Sequence, residues 1–284
     1  MSISFIAKDF NMQYTIESAQ PLTFFADYSF SEASGKISYI LDEGDIKIES
    51  EQKDGDCLIQ GESNNYSNKE IKAEIKKRFD LDLNLKNIYS KITNDKFIEA
   101  AVKEFHGLRI TRNGIWETSL SFITSEFNNI KRIRKIMKGL INRWSYLPNS
   151  NSISSLSIQE LNALGFGFRS AYIKNFAKSY DEELFKSYGR LNYADAKNEL
   201  MKYDGIGDKV SDCILLMGYG KLEAFPIDTW VKRVMINYYF NRDVGLTELH
   251  NFAEMKWGNY AGYAQQYLFW YGRSTALSSM AKRL

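Results

Sequence analysis

The sequence predicts an α+β protein in which a small antiparallel β-sheet at the N-terminus is followed by an all-helical body. Three observations predict this class. Short stretches of alternating apolar and polar residues occupy the first 65 or so positions, a three-to-four spacing of apolar residues replaces them from about residue 68, and helical patterns continue to the end. We therefore place a β-rich domain at residues 1–85 and the helical body at residues 86–284.

The strand pattern is clearest in two stretches of the N-terminal region. Residues 36–40 and 45–49 alternate with a period of two, and Glu-Gly, Asp-Gly and Ser/Asn clusters interrupt the pattern around them. Such short strands between turn signals are typical of an antiparallel sheet.

The helical pattern begins with Ile71, Ile75 and Phe79 and recurs in later segments. Residues 115–130 predict one core helix, with Phe127 among the residues of its apolar side. The Ser/Asn-rich stretch 149–157 predicts a loop.

Composition excludes several classes of protein. With 284 residues and 44% hydrophobic content, the chain can form one large domain or two to three smaller ones. No apolar run approaches the roughly 18 residues of a membrane span, and the N-terminus has no signal-peptide pattern. We therefore expect a cytoplasmic protein, associated with the nucleoid if the source is prokaryotic. Two cysteines, Cys57 and Cys213, cannot supply a disulfide framework or a four-cysteine iron–sulfur site.

The net charge of +2 is too small to indicate a polyanionic partner by itself. A local basic cluster fits either a nucleic-acid contact or a solvated helix face, and the charge pattern leaves both readings open. Its members are Lys131, Arg132, Arg134, Lys135, Lys138 and Arg143.

Two short helices joined by a glycine turn are predicted at about 194–217. Residues 194–203 and 208–217 are helix-forming, and Gly205 and Gly207 allow a tight turn between them. The first amides of the second helix then point outwards, where a phosphate can bind. A plain connection between packed helices is the alternative, and a Gly-X-Gly turn alone favours it.

The residues around this turn favour a functional reading. Lys209 lies on the first turn of the second helix, and Cys213 lies one turn later on the same face. The helix dipole disfavours a lysine at that end, so its presence requires a reason. Asp228 follows Pro226 at another predicted helix start, where it would serve as N-cap.

Residues 203–234 resemble the helix-hairpin-helix and Gly/Pro/Asp signature of base-excision DNA glycosylases. The Lys209-Val-x-Asp-Cys213 version of the signature is similar to that of the 8-oxoguanine DNA glycosylase/AP lyase family. Four further segments resemble that family in the same order, whereas the first 65 residues match it weakly. They are 79–89, 105–133, 164–172 and 256–269. The resemblance implies a two-lobed helical body and a bifunctional enzyme that excises oxidised purines, 8-oxoguanine above all, through a lysine Schiff base.

The resemblance also assigns roles to individual residues. Lys209 would be the nucleophile that attacks C1′ of the sugar, and Asp228 would stabilise the positive charge that develops there. Burial and the positive helix end would both favour the uncharged amine that this attack requires. The predicted contacts of the flipped base are Cys213, Gln265, Phe269, Ala19 and Met217. The predicted DNA contacts are Gly205, Gly207, Val210, Trp230, Arg132, Arg169, Phe127 and Asn128.

Structural readings of these residues remain open beside the functional ones. Asp228 can be a simple N-cap, and Cys213 and Phe269 can be ordinary core residues. Gln265 is more telling, because a buried glutamine among apolar neighbours needs a partner.

The predicted partner is double-stranded DNA that contains a damaged base, and we expect a monomer. No cofactor is required. The family resemblance adds a structural monovalent or divalent cation at the hairpin, held by the backbone carbonyls of Met201, Tyr203 and Ile206.

The sequence departs from the family pattern at three places. Phe127 stands where the family commonly has an asparagine that fills the gap left by the flipped base, and phenylalanine cannot pair with cytosine. Ala19 stands where a glycine carbonyl detects 8-oxoguanine. Asp204 and Asp208 flank the hairpin, where their charge would oppose a phosphate.

Three alternative functions remain. An alkylated-base glycosylase of the same fold lacks the hairpin lysine, and the endonuclease III-like class has a four-cysteine cluster that this chain cannot supply. A non-catalytic DNA-binding module that uses the hairpin only for phosphate contact is the third.

Overall fold

The computed structural model describes residues 1–41 and 44–281. Within these ranges the N-terminal part contains an antiparallel sheet with the strand order β1-β5-β4-β3-β2. Its strands are β1 (Ser2–Ala7), β2 (Asp27–Phe30), β3 (Ser34–Leu41), β4 (Gly44–Lys53) and β5 (Asp56–Glu62). The predicted α+β architecture is confirmed.

Two short helices, α1 (Met12–Glu17) and α2 (Pro21–Phe25), interrupt the strands, and the regular secondary structure after β5 is helical in the described chain. The helices are α3 (Asn68–Arg78), α4 (Leu85–Ile92), α5 (Lys96–Glu104), α6 (Ile115–Ser125), α7 (Ile130–Trp144), α8 (Ser150–Ser154), α9 (Ile158–Ala163), α10 (Arg169–Ser179), α11 (Glu182–Tyr188), α12 (Tyr193–Leu200), α13 (Asp208–Ile214), α14 (Thr229–Met235), α15 (Leu246–Trp257) and α16 (Ala261–Ala281). Single π-helical turns, Leu215–Tyr219 and Ile236–Phe240, extend α13 and α14.

One face of the sheet forms a core of its own. The period of two places Ile37, Ile48 and Ile59 on the same side, where each is almost completely buried. Helix α3 covers this face with Ile71 and Ile75, which lie one turn apart. A second apolar core fills the helical body. The predicted domain boundary at residue 85 stays a prediction.

A buried arginine joins the β-rich part to the helical body. Arg109 is 2% exposed, and its guanidinium donates to the backbone carbonyls of Lys8, Asp9, Asp80 and Leu83 at 2.7–3.2 Å. If the guanidinium were withdrawn, these carbonyls would lose a hydrogen-bond donor. A buried polar group without a hydrogen bond lowers the free energy of unfolding. The arginine therefore fixes the position of the N-terminal segment relative to the helices.

The predicted helix at 115–130 is too long. Helix α6 ends at Ser125, and Phe127 adopts a positive φ of 44° that a continuing helix cannot accommodate. The phenylalanine is 94% exposed, so its predicted place on the apolar side of a core helix was wrong.

The Ser/Asn-rich stretch 149–157 is also not entirely a loop. Helix α8 occupies Ser150–Ser154, and the Asn149 side chain caps it by accepting from the Ser152 amide at 2.9 Å. The residues that indicated a loop are thus good helix-capping residues. In the described part of the chain, no helix has both the length and the apolarity needed to cross a bilayer.

Candidate active site

The glycine turn between α12 and α13 has the predicted form. Helix α12 ends at Leu200 and α13 begins at Asp208. Gly205 has φ +81°, and a Cβ atom there would lie 2.9 Å from Cβ of Tyr172. Gly207 is the N-cap residue of α13 and has open space where a side chain would be. The backbone of the turn is therefore accessible from outside.

Other residues of the turn are less available than the sequence suggested. Val210 is completely buried, so its predicted contribution to DNA binding is limited to its backbone. The Tyr203 carbonyl accepts from the Ile206 amide at 3.0 Å, which closes the turn. The cation predicted at the carbonyls of Met201, Tyr203 and Ile206 stays a prediction.

A cleft of about 640 Å³ brings together most of the predicted site residues. It is contained between α6, α7, α13, α14, α16 and the segment before α2. Its predicted members are Lys209, Asp228, Cys213, Met217, Gln265, Phe269, Ala19, Trp230, Arg132, Phe127 and Asn128. A larger cavity of about 910 Å³ lies against the sheet and holds none of the predicted residues.

Lys209 points its amine into this cleft from the first turn of α13. Its Nζ donates to Oγ of Ser125 at 2.9 Å and lies 4.8 Å from the ring centroid of Phe122. The Ser125 hydroxyl itself donates to the Phe122 carbonyl at 2.7 Å, so its lone pairs are left for the amine. The half-buried amine is thus held in one place by α6.

Asp228 faces the same cleft from the start of α14. One carboxylate oxygen caps the helix by accepting from the Val231 amide at 2.8 Å. Within the described residues, the other oxygen accepts no hydrogen bond and forms no ion pair with Lys209. The carboxylate can therefore serve as a cap and still present charge to the cleft.

The residues predicted to contact the flipped base lie in the walls of the cleft. Cys213 and Met217 are buried, and Phe269 is half-buried. Burial raises the pKa of the Cys213 thiol to about 12, so the thiol is neutral at physiological pH. Gln265 is 5% exposed, and its Oε1 is buried without a hydrogen-bond partner in the described structure. Such an orphaned acceptor beside a cleft is suited to a ligand donor.

Ala19 adopts the conformation that a glycine would adopt there. Its φ is +61°, which costs an alanine roughly 1–2 kcal/mol. The flanking residues hold it in place, because Gln266 donates to the Ser18 carbonyl at 2.8 Å and Gln20 donates to the Arg109 carbonyl at 2.7 Å. These contacts hold the Ala19 backbone at a positive φ.

Two exposed aromatic rings lie near each other, Phe127 in the loop after α6 and Phe168 directly before α10. Phe127 is 94% exposed and Phe168 is 57% exposed, and their ring centroids are 6.4 Å apart. Arg169 supports the loop by donating through Nε to the Glu126 carbonyl at 2.7 Å. Arg169 is only 3% exposed and does not line the cleft, and its predicted DNA contact stays a prediction.

Two members of the basic cluster on α7 form ion pairs with acidic residues of the protein. Lys138 pairs with Asp27, and Arg143 pairs with Glu160 at 2.9 Å. Arg132 does line the cleft. The cluster therefore does not form one free basic face.

The other aromatic residue predicted to contact DNA lies between two cations. Trp230 has the guanidinium carbons of Arg233 and Arg273 at 5.2 and 5.8 Å from its ring. Arg273 also lines the cleft, although the sequence did not single it out.

The two acidic residues that flank the hairpin are both engaged. Asp204 accepts from Nδ2 of Asn175 at 3.4 Å. Asp208 lies 2.8 Å from Nζ of Lys197 and 2.9 Å from Nε2 of His250. The hydrogen bond from His250, with help from Lys197, holds the pKa of Asp208 well below its usual range. Its charge is therefore compensated within the protein.

Sequence reasoning missed several residues that line the cleft or lie next to it. Ser125, Phe168, Gln266 and His250 belong to no short motif. Only Gln266 carried a usable signal, because two consecutive glutamines in an apolar helix indicate buried amides that need partners.

Comparisons with known proteins agree with this arrangement. The family model described as the 8-oxoguanine DNA glycosylase, N-terminal domain, matches residues 2–118, and the model for HhH-GPD superfamily base excision DNA repair proteins matches residues 120–257. A probable N-glycosylase/DNA lyase of Methanothermobacter thermautotrophicus is 36% identical over 45% of this chain and 41% of its own length. The N-glycosylase/DNA lyase of Saccharomyces cerevisiae is 29% identical over 70% of this chain and 66% of its own length. Both matches span less than two thirds of the relative.

A solved structure matches over nearly the whole chain. The Clostridium acetobutylicum 8-oxoguanine glycosylase/lyase, in complex with double-stranded DNA containing cytosine opposite 8-oxoguanine, superimposes with a TM-score of 0.83. It is 27% identical, and the match covers 97% of this chain and 98% of that one. The chain belongs to the HhH-GPD superfamily of base excision DNA repair proteins and carries the N-terminal domain of 8-oxoguanine DNA glycosylases.

Proposed function

We propose that the protein is a bifunctional DNA glycosylase/AP lyase that excises 8-oxoguanine from double-stranded DNA. The observation that carries the proposal is the shared cleft, in which the Lys209 amine, the Asp228 carboxylate and the unpaired carbonyl of Gln265 come from three different helices. An amine, a carboxylate and a buried amide are the groups required to attack a sugar, stabilise its charge and read a base.

The first chemical step joins Lys209 to the sugar. The neutral amine attacks C1′ as the C1′–N9 bond breaks, and the base leaves with the bonding electrons and takes up a proton. One proton then leaves the nitrogen, the C1′–O4′ bond of the sugar ring breaks as O4′ takes up a proton, and a protonated Schiff base forms between C1′ and Nζ. The carboxylate oxygen of Asp228 that does not cap α14 faces this centre, and it stabilises the positive charge on the sugar. Loss of a C2′ proton then expels the 3′ phosphate, which accounts for the lyase activity.

The base must leave the duplex before this chemistry can occur, because C1′ is shielded within the stack. Cys213 and Phe269 would hold its two faces, and Gln265 would pair with its Watson–Crick edge. The Ala19 carbonyl, held in a glycine-like conformation, would accept from the N7–H that distinguishes 8-oxoguanine from guanine.

The backbone of the hairpin at Gly205 and Gly207, together with Arg132, would bind phosphates without reading sequence. We expect the protein to act as a monomer in the cytoplasm.

A duplex with a single 8-oxoguanine tests this function. In the presence of borohydride we expect a covalent protein–DNA adduct, and without borohydride we expect base release followed by strand cleavage. An undamaged duplex is the control. Base release without an adduct would indicate a hydrolytic glycosylase, adduct formation only with an alkylated base would indicate the other substrate class, and binding alone would indicate a non-catalytic module.

Phe127 leads to a prediction about the base opposite the lesion. Its ring is almost fully exposed at the mouth of the cleft and can wedge into the stack, but it offers no hydrogen bond to cytosine. We expect excision rates opposite the four bases to agree within about threefold, because stacking is sequence-tolerant. Phe127→Asn should introduce a preference for cytosine, measured as the ratio of single-turnover rates.

Met255→Asn serves as the matched control, since Met255 is 82% exposed and lies outside the cleft. Met255→Asn should keep the wild-type ratios of excision rates opposite the four bases. A strong cytosine preference in the unaltered protein would contradict the role assigned to Phe127.

A further inference from the structure

A group of five polar side chains, here called the rear cluster, meets on α13 without lining the cleft. It consists of Tyr193 and Lys197 from α12, Asp208 and Asp212 from α13, and His250 from α15. Lys197 Nζ lies 2.8 Å from Asp208 and 2.9 Å from Asp212. His250 Nε2 lies 2.9 Å from Asp208 and 3.7 Å from Asp212. The Tyr193 hydroxyl donates to Asp212 at 2.6 Å.

The rear cluster is largely shielded from solvent. The side chain of Asp212 is 0% exposed, that of Lys197 is 13% exposed and that of His250 is 21% exposed. Buried carboxylates are stable only when they are paired and hydrogen-bonded, and here each oxygen has a donor. The Lys197 ammonium already occupies the position between the carboxylates that a metal ion would take. We therefore interpret the cluster as an internal polar network and not as an ion site.

The register of α13 connects the rear cluster to the cleft. Asp208 directly precedes Lys209, and Asp212 directly precedes Cys213. Asp208 and Asp212 are four residues apart, so they lie one turn apart on the side of α13 that the cluster holds. Lys209 and Cys213 are also four residues apart and lie on the neighbouring side, which faces the cleft. A rotation of α13 that broke the cluster would move the Lys209 amine away from Ser125.

The rotation of helix α13 is fixed by the burial of Val210, Cys213 and Ile214 in the apolar core and, on its polar side, by the rear cluster. The helix has seven residues, and its N-cap, Gly207, contributes no side-chain hydrogen bond. A helix of this length gains its position from contacts of its side chains and not from its own backbone. Lys197 belongs to the helix on the other arm of the hairpin, whereas His250 reaches α13 from α15, which is distant in sequence.

We propose that His250 is a positioning residue for Lys209, an inference that rests on the proposed nucleophilic role of that lysine. From α15, the ring holds Asp208 and, with Lys197, sets the rotation of α13 that aims the amine into the cleft. His250 does not line the cleft, so its effect is on the reaction rate and not on affinity.

The test compares His250→Leu, which removes the donor, with His250→Gln, which keeps an N–H that can reach Asp208. The single-turnover excision rate is measured on the 8-oxoguanine duplex, and the dissociation constant is measured on a duplex with a tetrahydrofuran abasic analogue. We expect the leucine variant to lose about 10- to 100-fold in rate, as misplacement of a reacting group does, with its dissociation constant within about threefold of wild type. The glutamine variant should recover most of the rate.

The chain's other histidine provides the matched control. His106 lies outside both the cleft and the rear cluster, so His106→Leu should keep the wild-type rate. If His250→Leu does not fold, Tyr193→Phe removes a single hydroxyl from the cluster and should lower the rate in the same selective way. A wild-type rate in these variants, equal losses in the leucine and glutamine variants, or a parallel loss of rate and affinity would each overturn the proposal.

A separate readout distinguishes this proposal from the proposed function. Competitive acetylation followed by peptide mass spectrometry reports the reactivity of Lys209 in the free protein. We expect Lys209 to label faster in His250→Leu than in wild type, because the amine leaves its bond to Ser125. If the wild-type protein excises no base, the proposed function fails, whereas unchanged labelling in the leucine variant would refute positioning by His250.

Discussion

Replacement of Lys209 by glutamine is expected to eliminate the borohydride-trapped adduct and to slow base excision by about 10⁴-fold or more, as loss of a covalent nucleophile does. Glutamine cannot form a Schiff base, since its nitrogen is an amide. It retains an N–H donor and a flexible stem, so the fold of α13 should be preserved. Gel separation of the adduct and single-turnover release of the base measure the two effects.

The matched control is Lys76→Gln. Lys76 lies on α3, pairs with Asp82 at 2.5 Å and is remote from the cleft, so this variant loses the same charge without touching the site. It should form the adduct at the wild-type rate. An adduct that persists in Lys209→Gln would show that another amine attacks the sugar.

The parts of the fold that follow periodic patterns were predictable from the sequence. The alternation at 36–40 and 45–49 lies in β3 and β4, and the predicted helix pair around Gly205 forms the hairpin. Each depends on contacts within a few residues, which a local pattern records. The end of α6 was missed because the sequence beyond Ser125 continues the apolar spacing, while the backbone turns away at a position that only the tertiary structure requires.

The site residues likewise include some that local sequence signals indicate and others that only the tertiary structure brings together. Lys209 and Asp228 were predictable because each lies at a helix start next to a glycine or proline signal. The pairing of Lys209 with Ser125 joins residues 84 positions apart, and the contact of Asp208 with His250 joins residues 42 positions apart. No local rule connects residues at such separations without an alignment. The contact of Arg169 with the Glu126 carbonyl joins residues 43 positions apart and was equally hidden from local patterns, while the predicted DNA contact of Arg169 stays a prediction.

Asp228→Asn is expected to lower the single-turnover excision rate by about 10²- to 10³-fold, the loss typical of removing one group that stabilises a charged transition state. The free energy of unfolding should change little. Asparagine caps helices about as well as aspartate, and its side-chain oxygen can still accept from the Val231 amide. Excision kinetics and thermal unfolding, measured on the same preparation, separate the two roles of this carboxylate.

Asp181→Asn is the matched control, because it changes a helix cap in the same way outside the cleft. Asp181 caps α11, a helix of the same seven residues in length as α14, through an equivalent bond of 2.8 Å to the Leu184 amide, and it does not line the cleft. Both substitutions should have equally small effects on unfolding, whereas only Asp228→Asn should slow excision. If the two variants excise 8-oxoguanine equally fast, Asp228 is a cap and nothing more. If Asp228→Asn loses activity only in proportion to a loss of folded protein, its charge has no part in the chemistry.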